Sequence, residues 1–196
     1  MVCDTSPQLG GNLDVQARLL VGACGSNGIA IANGGEVTMA KQSAFFYKLS
    51  SSDANRTGDG TLYTLGTDHD LTKLIDQQCE VTVCSGAFTP TVAGLYMLGG
   101  SLNILGSSLC TTNNDNFMIQ IVTTCETLIY AGDLVANYAD SASIGVAMVH
   151  ISGLVAMAAC NTALLKFQVY DNSGSNCNSI DIEAGNNSSF WGYKVA

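Results

Sequence analysis

The sequence predicts an all-β chain: a jelly-roll sandwich over residues 43–196, preceded by a short β segment over residues 1–42. Two observations carry this. About ten short runs are either alternating or uniformly apolar, and turn-forming residues punctuate them roughly every 8 to 12 positions. No long 3.6-period segment with a cap competes with them.

Taken in order, residues 5–12 (TSPQLGGN) form a loop. From Leu13 to Val21 apolar positions alternate with Asp14, Gln16 and Arg18, the pattern of a half-buried strand. Ile29 and Ile31 then lead into Asn33-Gly34-Gly35-Glu36 and out through Val37 and Met39. Asn-Gly between alternating apolar residues is a hairpin signal, because both central positions require positive φ. Three such short strands cannot bury a core alone, so this segment must lean on the following domain, on copies of itself or on a docking partner.

Residues 43–49 (SAFFYKL) open the jelly roll as a buried strand, 50–60 read as a polar turn, 61–65 as a returning strand and 71–78 as one helical turn. The organising stretch is 88–98, FTPTVAGLYML. Pro90 has no donor for a ladder and Gly94 relaxes the backbone, which places a reversal between Phe88 and Leu95. The strand that follows puts Tyr96, Leu98, Leu102 and Ile104 on one face, with Gly100 as a gap open to a neighbouring backbone. Residues 117–122 and 127–131 form a hairpin around 123–126, and 143–159 give two strands broken near Ser152-Gly153. Strands over 163–170, 180–183 and 190–195 complete the count.

Composition narrows the function. A formal charge of −9 with seven Lys plus Arg excludes the clustered cations that phosphate-backbone binding requires, so nucleic acid is not a partner. The 47% hydrophobic content and a mean hydropathy of +0.25 give the chain more apolar surface than one domain hides easily, which points to an oligomer interface. The most apolar run, 143–160, carries His150, lacks flanking cations and falls short of the ~20 residues of a membrane span, so packed strands are expected there and no insertion. Residues 1–20 show no cationic and apolar leader pattern, and assembly in a cytoplasm is the expectation.

Eight cysteines stand at Cys3, Cys24, Cys79, Cys84, Cys110, Cys125, Cys160 and Cys177, with no Cys-x-x-Cys spacing for zinc or thioredoxin-type redox chemistry. They read either as small buried hydrophobes or as sequence-adjacent bridges, Cys3 with Cys24, Cys79 with Cys84, Cys110 with Cys125 and Cys160 with Cys177.

Catalytic patterns are missing. His69 and His150 are far apart in sequence, and no nucleophile elbow, zinc-helix or phosphate-loop motif occurs, so the sequence expects no enzyme and reads His150 as a core or interface residue. Asp53-x-Asn55-x-Thr57-Gly58 has the first half of a calcium loop but Thr64 at the twelfth place, and Asn113-Asn114-Asp115-Asn116 is a second oxygen-rich turn. Asx turns account for both, so no cofactor is expected, calcium at either turn being the alternative.

Phe88, Gly94, Tyr96 and Leu98 have the spacing of the core motif of complement-1q-like domains, which are relatives of the tumour necrosis factor jelly roll. Phe190-Trp191-Gly192-Tyr193-Lys194-Val195 resembles that family's terminal strand, and 152–165 its penultimate hairpin, with Cys160-Asn161 where the family has Gly-Asp. The resemblance covers roughly residues 43–196 and implies a homotrimer packed around a hydrophobic axis, with Trp191, Tyr193 and their neighbours lining the inner sheet and subunit contact. Pro7 to Val15 with the Asn33-Gly34-Gly35 hairpin resembles a unit of tailed-bacteriophage fibre proteins. Together the two resemblances imply a virion structural protein, a trimeric tail-fibre or receptor-binding tip. Its N-terminus would dock on other virion proteins, and its loops would meet a host-surface glycan or protein. The alternative is a capsid decoration (cement) protein; a secreted complement or tumour-necrosis-type ligand is the more distant one.

Overall fold

The computed structural model describes residues 19–21, 28–31, 35–39, 42–57, 59–67, 71–108, 115–133, 147–171 and 179–196, and the chain divides into two compact units, 1–42 and 43–196. In the first, β1 (Leu19–Val21), β2 (Gly28–Ile31) and β3 (Val37–Met39) form an antiparallel sheet in the order β1-β2-β3. Ile31 pairs with Val37, as the alternating apolar pattern on either side of Asn33-Gly34 requires, although the turn itself lies outside the described residues.

The second unit runs β4 (Ala44–Leu49), β5 (Asp53–Thr57), β6 (Asp59–Thr64), β7 (Leu71–Asp76), β8 (Val81–Thr82), β9 (Ala87–Phe88), β10 (Gly94–Ser108) and β11 (Asp115–Thr123). It continues through β12 (Thr127–Asp133), β13 (Ala147–Met157), β14 (Ala163–Asp171), β15 (Ser179–Ile182) and β16 (Gly185–Lys194). A seven-stranded sheet is ordered β5-β15-β10-β16-β4-β7, with β13 also paired to β10. A six-stranded sheet is ordered β12-β11-β14-β9-β8, with β6 also on β14. No helix occurs among the described residues.

The core lies between these sheets, because each strand presents alternate residues to it. Strand β4 shows the rule: Phe45, Tyr47 and Leu49 are buried while Ala44, Phe46 and Lys48 are half-buried. Tyr96, Leu98, Leu102 and Ile104 from β10 meet Phe117, Ile119 and Ile121 from β11 and Leu165 and Phe167 from β14 in one cluster. Phe88 stands at its centre, stacked on Phe45 at 4.3 Å and edge-on to Tyr96 at 5.5 Å.

Several expectations are corrected by pairing. Residues 71–76 are a strand, not a helical turn, because the edge of β4 supplies backbone partners from Leu49↔Leu71 to Phe45↔Asp76, and tertiary pairing overrides local preference. The 50–60 stretch contains β5, captured by β15. Residues 147–157 are one strand, since every position from Ala147 to Met157 pairs with β10 and Gly153 interrupts nothing; its missing side chain leaves room for Leu128. The expected hairpin over 152–165 is a crossover, with β13 in one sheet and β14 in the other. The reversal between Phe88 and Leu95 is likewise a crossing between sheets. The gap at Gly100 is filled by a side chain and not by backbone: a Cβ there would sit 2.5 Å from Leu165 Cδ1.

A polar tie holds that 88–95 crossing. The buried Glu80 carboxylate accepts from the Thr91 amide and hydroxyl, both at 2.6 Å, and from the Ser43 hydroxyl, which fixes the bend to the start of β4. Nearby, Tyr47 donates to Asp76 Oδ2 at 2.9 Å. Burial first, then the hydrogen bond to Asp76 and its charge, then Cys79, push the Tyr47 phenol far above its ordinary value. Burial, followed by the charge of Glu80, also raises Tyr96.

A phenol whose folded value is raised contributes stability that is complete below the unfolded value, near 10, and is lost as pH climbs from there toward the folded value. Urea midpoints are therefore expected to hold up to about pH 10 and to fall steeply above it. Tyr47→Phe should lower the midpoint at pH 8, by about 1 kcal/mol of stability, yet flatten the alkaline fall. An equally steep fall in the variant would show that Tyr47 does not carry it.

Candidate interaction face

Many positions of the seven-stranded sheet that point away from the core are also apolar. Strand register sets their neighbours row by row. Leu154, Met97 and Tyr193 form one row across β13, β10 and β16. Ser152, Gly99, Trp191, Phe46 and Ile75 form the next, carried on through β4 and β7. Then come His150, Ser101, Ser189 and Lys48.

Leu154 is 54% exposed, Tyr193 46% and Ile75 49%. Trp191 stacks on Tyr193 with planes 12° apart, and its indole lies across Gly99, where any Cβ would collide with the ring. An antiparallel sheet with one solvated face normally alternates apolar inward with polar outward. The outward positions of the other sheet mix Gln120, Lys166 and Gln168 with Met118, Val122, Leu164 and Leu62. Leu154, Met97 and Tyr193 with Trp191, Phe46 and Ile75, bounded by one polar row, make an apolar patch of the kind that marks a protein–protein contact.

The polar row is ordered. Ser101 and Ser189 are buried, their hydroxyls 3.0 Å apart. Two residues further along β10, the Asn103 backbone amide donates to the Ser188 hydroxyl oxygen at 3.0 Å and its side-chain amide donates to Glu183, while its Oδ1 has no partner among the described residues.

The residues singled out by sequence divide between the two sides of this sheet. Phe88, Tyr96, Leu98 and Phe190 are core residues. Gly192 sits where a Cβ would press 2.7 Å from Leu98 Cδ2 and 2.8 Å from Phe45 Cε1, and a Cβ on Gly94 would collide with the Ala196 carbonyl oxygen. Tyr193 is on the outward face. His150 is exposed on that face and not in the core; His69 lies outside the described residues. Leu154, Met97, Phe46 and Ile75 were not singled out by sequence. The signal that identifies them is apolar residues at both parities of neighbouring strands, and it becomes visible once register is known.

The calcium alternative loses its geometry at the first turn. Asp53 is buried in strand β5, and from Asp53 to Thr57 an extended chain advances about 13 Å, too far for those positions to ring one ion. Asn113 lies outside the described residues, as does the side chain of Asp115. No group of three or more metal-ligating side chains occurs among the described residues.

Of the four expected sequence-adjacent disulfides, the one whose two cysteines are both described is not formed: Cys79 and Cys84 are exposed free thiols at either end of the segment that carries β8, and Cys125 and Cys160 are exposed free thiols as well. The other three expected pairs, Cys3 with Cys24, Cys110 with Cys125 and Cys160 with Cys177, each include a cysteine that the structure does not describe. Cys3, Cys24, Cys110 and Cys177 lie outside the described residues.

No protein-family model and no curated protein matches this chain. Solved structures do. The globular domain of zebrafish complement 1qA is similar over 80% of this chain and 98% of its own, with 12% identity and a TM-score of 0.50. The Eiger TNF of S. frugiperda is similar over 79% of this chain and 93% of its own, with 10% identity and a TM-score of 0.52. The fold is therefore the complement-1q and tumour-necrosis-factor jelly roll, as the Phe88–Leu98 and Phe190–Val195 motifs implied.

Proposed function

We propose that this chain is a non-enzymatic structural protein of a bacteriophage virion, a tail-fibre tip in which residues 43–196 form a homotrimeric head and residues 1–42 attach it to other virion proteins. The observation that carries the self-association is the outward apolar face of the seven-stranded sheet, with Leu154, Tyr193 and Ile75 each about half exposed in a single chain. Three copies hide that face from water without demanding further apolar area elsewhere. The virion assignment is supported by the resemblance of Pro7 to Val15 to phage fibre units and by the separation of a small N-terminal β unit from the head. Threefold repetition of the head loops lets weak contacts to a host glycan or protein add as avidity.

The test has two parts. Light scattering on the purified chain should return three protomers, and a stable monomer sinks the trimeric head. Imaging of the particle that carries the chain should show its density on the tail. Density at capsid three-fold positions would replace the fibre tip with a decoration protein, and absence from every particle would remove both.

A further inference from the structure

We infer that Cys125 and Cys160 form an intramolecular disulfide that joins the β11–β12 turn to the β13–β14 crossover under oxidising conditions. The starting point is the ladder between β11 and β14, which ends at Thr123↔Ala163 but continues as side-chain and backbone bonds. The Thr124 amide donates to the Thr162 carbonyl at 3.0 Å, and the Thr162 amide donates back to Thr124 Oγ1 at 2.8 Å. One position further on, the Cys125 thiol donates to Asn161 Oδ1 at 3.3 Å.

That oxygen also accepts from the Ala158 amide at 2.7 Å, so the Cys125 sulfur already rests on the tight 158–161 turn that contains Cys160. Cys160 is one Cα step, 3.8 Å, from the residue that Cys125 touches. Both thiols are exposed, and a small oxidant reaches them. Cys79 and Cys84 belong to the segment around β8 and are not part of this turn pair.

A second observation concerns backbone. Cys160 has φ of 66°, in the left-handed region where a Cβ is strained and glycine is not. The turn is pinned there by the Cys160 amide donating to the Pro90 carbonyl at 2.9 Å. Cys79 shares this conformation at φ of 56°, and what singles out Cys160 is the hydrogen bond by which Cys125 rests on its turn.

With glutathione disulfide as oxidant the step balances. The thiolate of one cysteine attacks a glutathione sulfur, forming a mixed disulfide and releasing one glutathione thiolate. The second cysteine thiolate then attacks the protein sulfur of that mixed disulfide and releases the second glutathione. Two protons leave the cysteines and two electrons pass to glutathione. Cys125 gives up its hydrogen bond to Asn161, whose Oδ1 keeps the Ala158 amide.

The experiment equilibrates the full chain with glutathione disulfide, blocks remaining thiols with N-ethylmaleimide and maps peptides without reduction. The expected product is a single linked peptide joining Cys125 to Cys160, in a species that runs as one chain on a non-reducing gel. Its Tm should exceed that of Cys125→Ser, treated identically, by about 5 °C, from the restricted unfolded state. Cys160→Ser should leave Cys125 alkylated or glutathionylated. Alkylation of both cysteines in the wild-type chain, a bridge from either to any other cysteine, or a cross-linked dimer would each overturn the inference.

Discussion

Replacing Leu154 and Tyr193 together with aspartate is expected to convert the proposed trimeric head into a folded monomer. Both side chains are about half exposed in the single chain, so the substitutions remove little from its own core. Register places them in one row across β13, β10 and β16, flanking Met97. In a trimer packed through this face, each protomer would bury two carboxylates without partners, and each costs several kcal/mol to desolvate. Even a net loss of about 4 kcal/mol weakens association by roughly a thousandfold. Sedimentation equilibrium reads the mass, and Trp191, the one tryptophan of the chain, lies in the adjoining row and reports solvent exposure by a red-shifted emission. Lys166 and Gln168 on the other sheet serve as controls, because aspartate there should leave the trimer intact. A persistent trimer in the double variant would place the contact elsewhere.

Phe88→Ala is expected to cost about 3–5 kcal/mol, a large share of a total that for single domains is about 5–15. The ring is fully buried, stacked on Phe45 and edge-on to Tyr96. It stands on β9 in the six-stranded sheet, while Phe45 and Tyr96 belong to the seven-stranded one, so truncation opens a cavity where the two sheets meet. Backbone on either side is fixed, by the pairing of Phe88 with Ala163 and by the Thr89 amide donating to the Glu80 carbonyl at 2.7 Å, which limits collapse into the void. Urea unfolding measures the loss. A cost below about 1 kcal/mol would mean that the site repacks, and the ring would not be the joint between the sheets. Val83→Ala, at an exposed turn position, should change the midpoint little.

Strand existence was legible wherever side-chain parity had a single cause. In β4 the buried positions alternate, and Phe88, Tyr96, Leu98 and Phe190 read directly as core, although 98–104 in β10 and 188–190 in β16 are buried without a break. The reading failed where the cause was a distant partner. Residues 71–76 have no strong strand signal and are extended because β4 offers an edge. Gly153 looks like a break and is a close contact with Leu128. Cysteines were paired by proximity along the chain, whereas the β11–β14 ladder holds Cys125 against the turn that carries Cys160.

The amino-acid sequence by itself determined an all-β jelly roll, because period-2 burial, turn residues and the Phe88–Leu98 and Phe190–Val195 patterns are local properties that each residue carries with it. Only the tertiary structure decided which outward residues share a face and which turn each thiol meets. Leu154, Met97 and Tyr193 become neighbours through strand register, and Cys125 meets the 158–161 turn through the β11–β14 ladder. Register is set by pairing between segments far apart in the chain, and no local pattern encodes it.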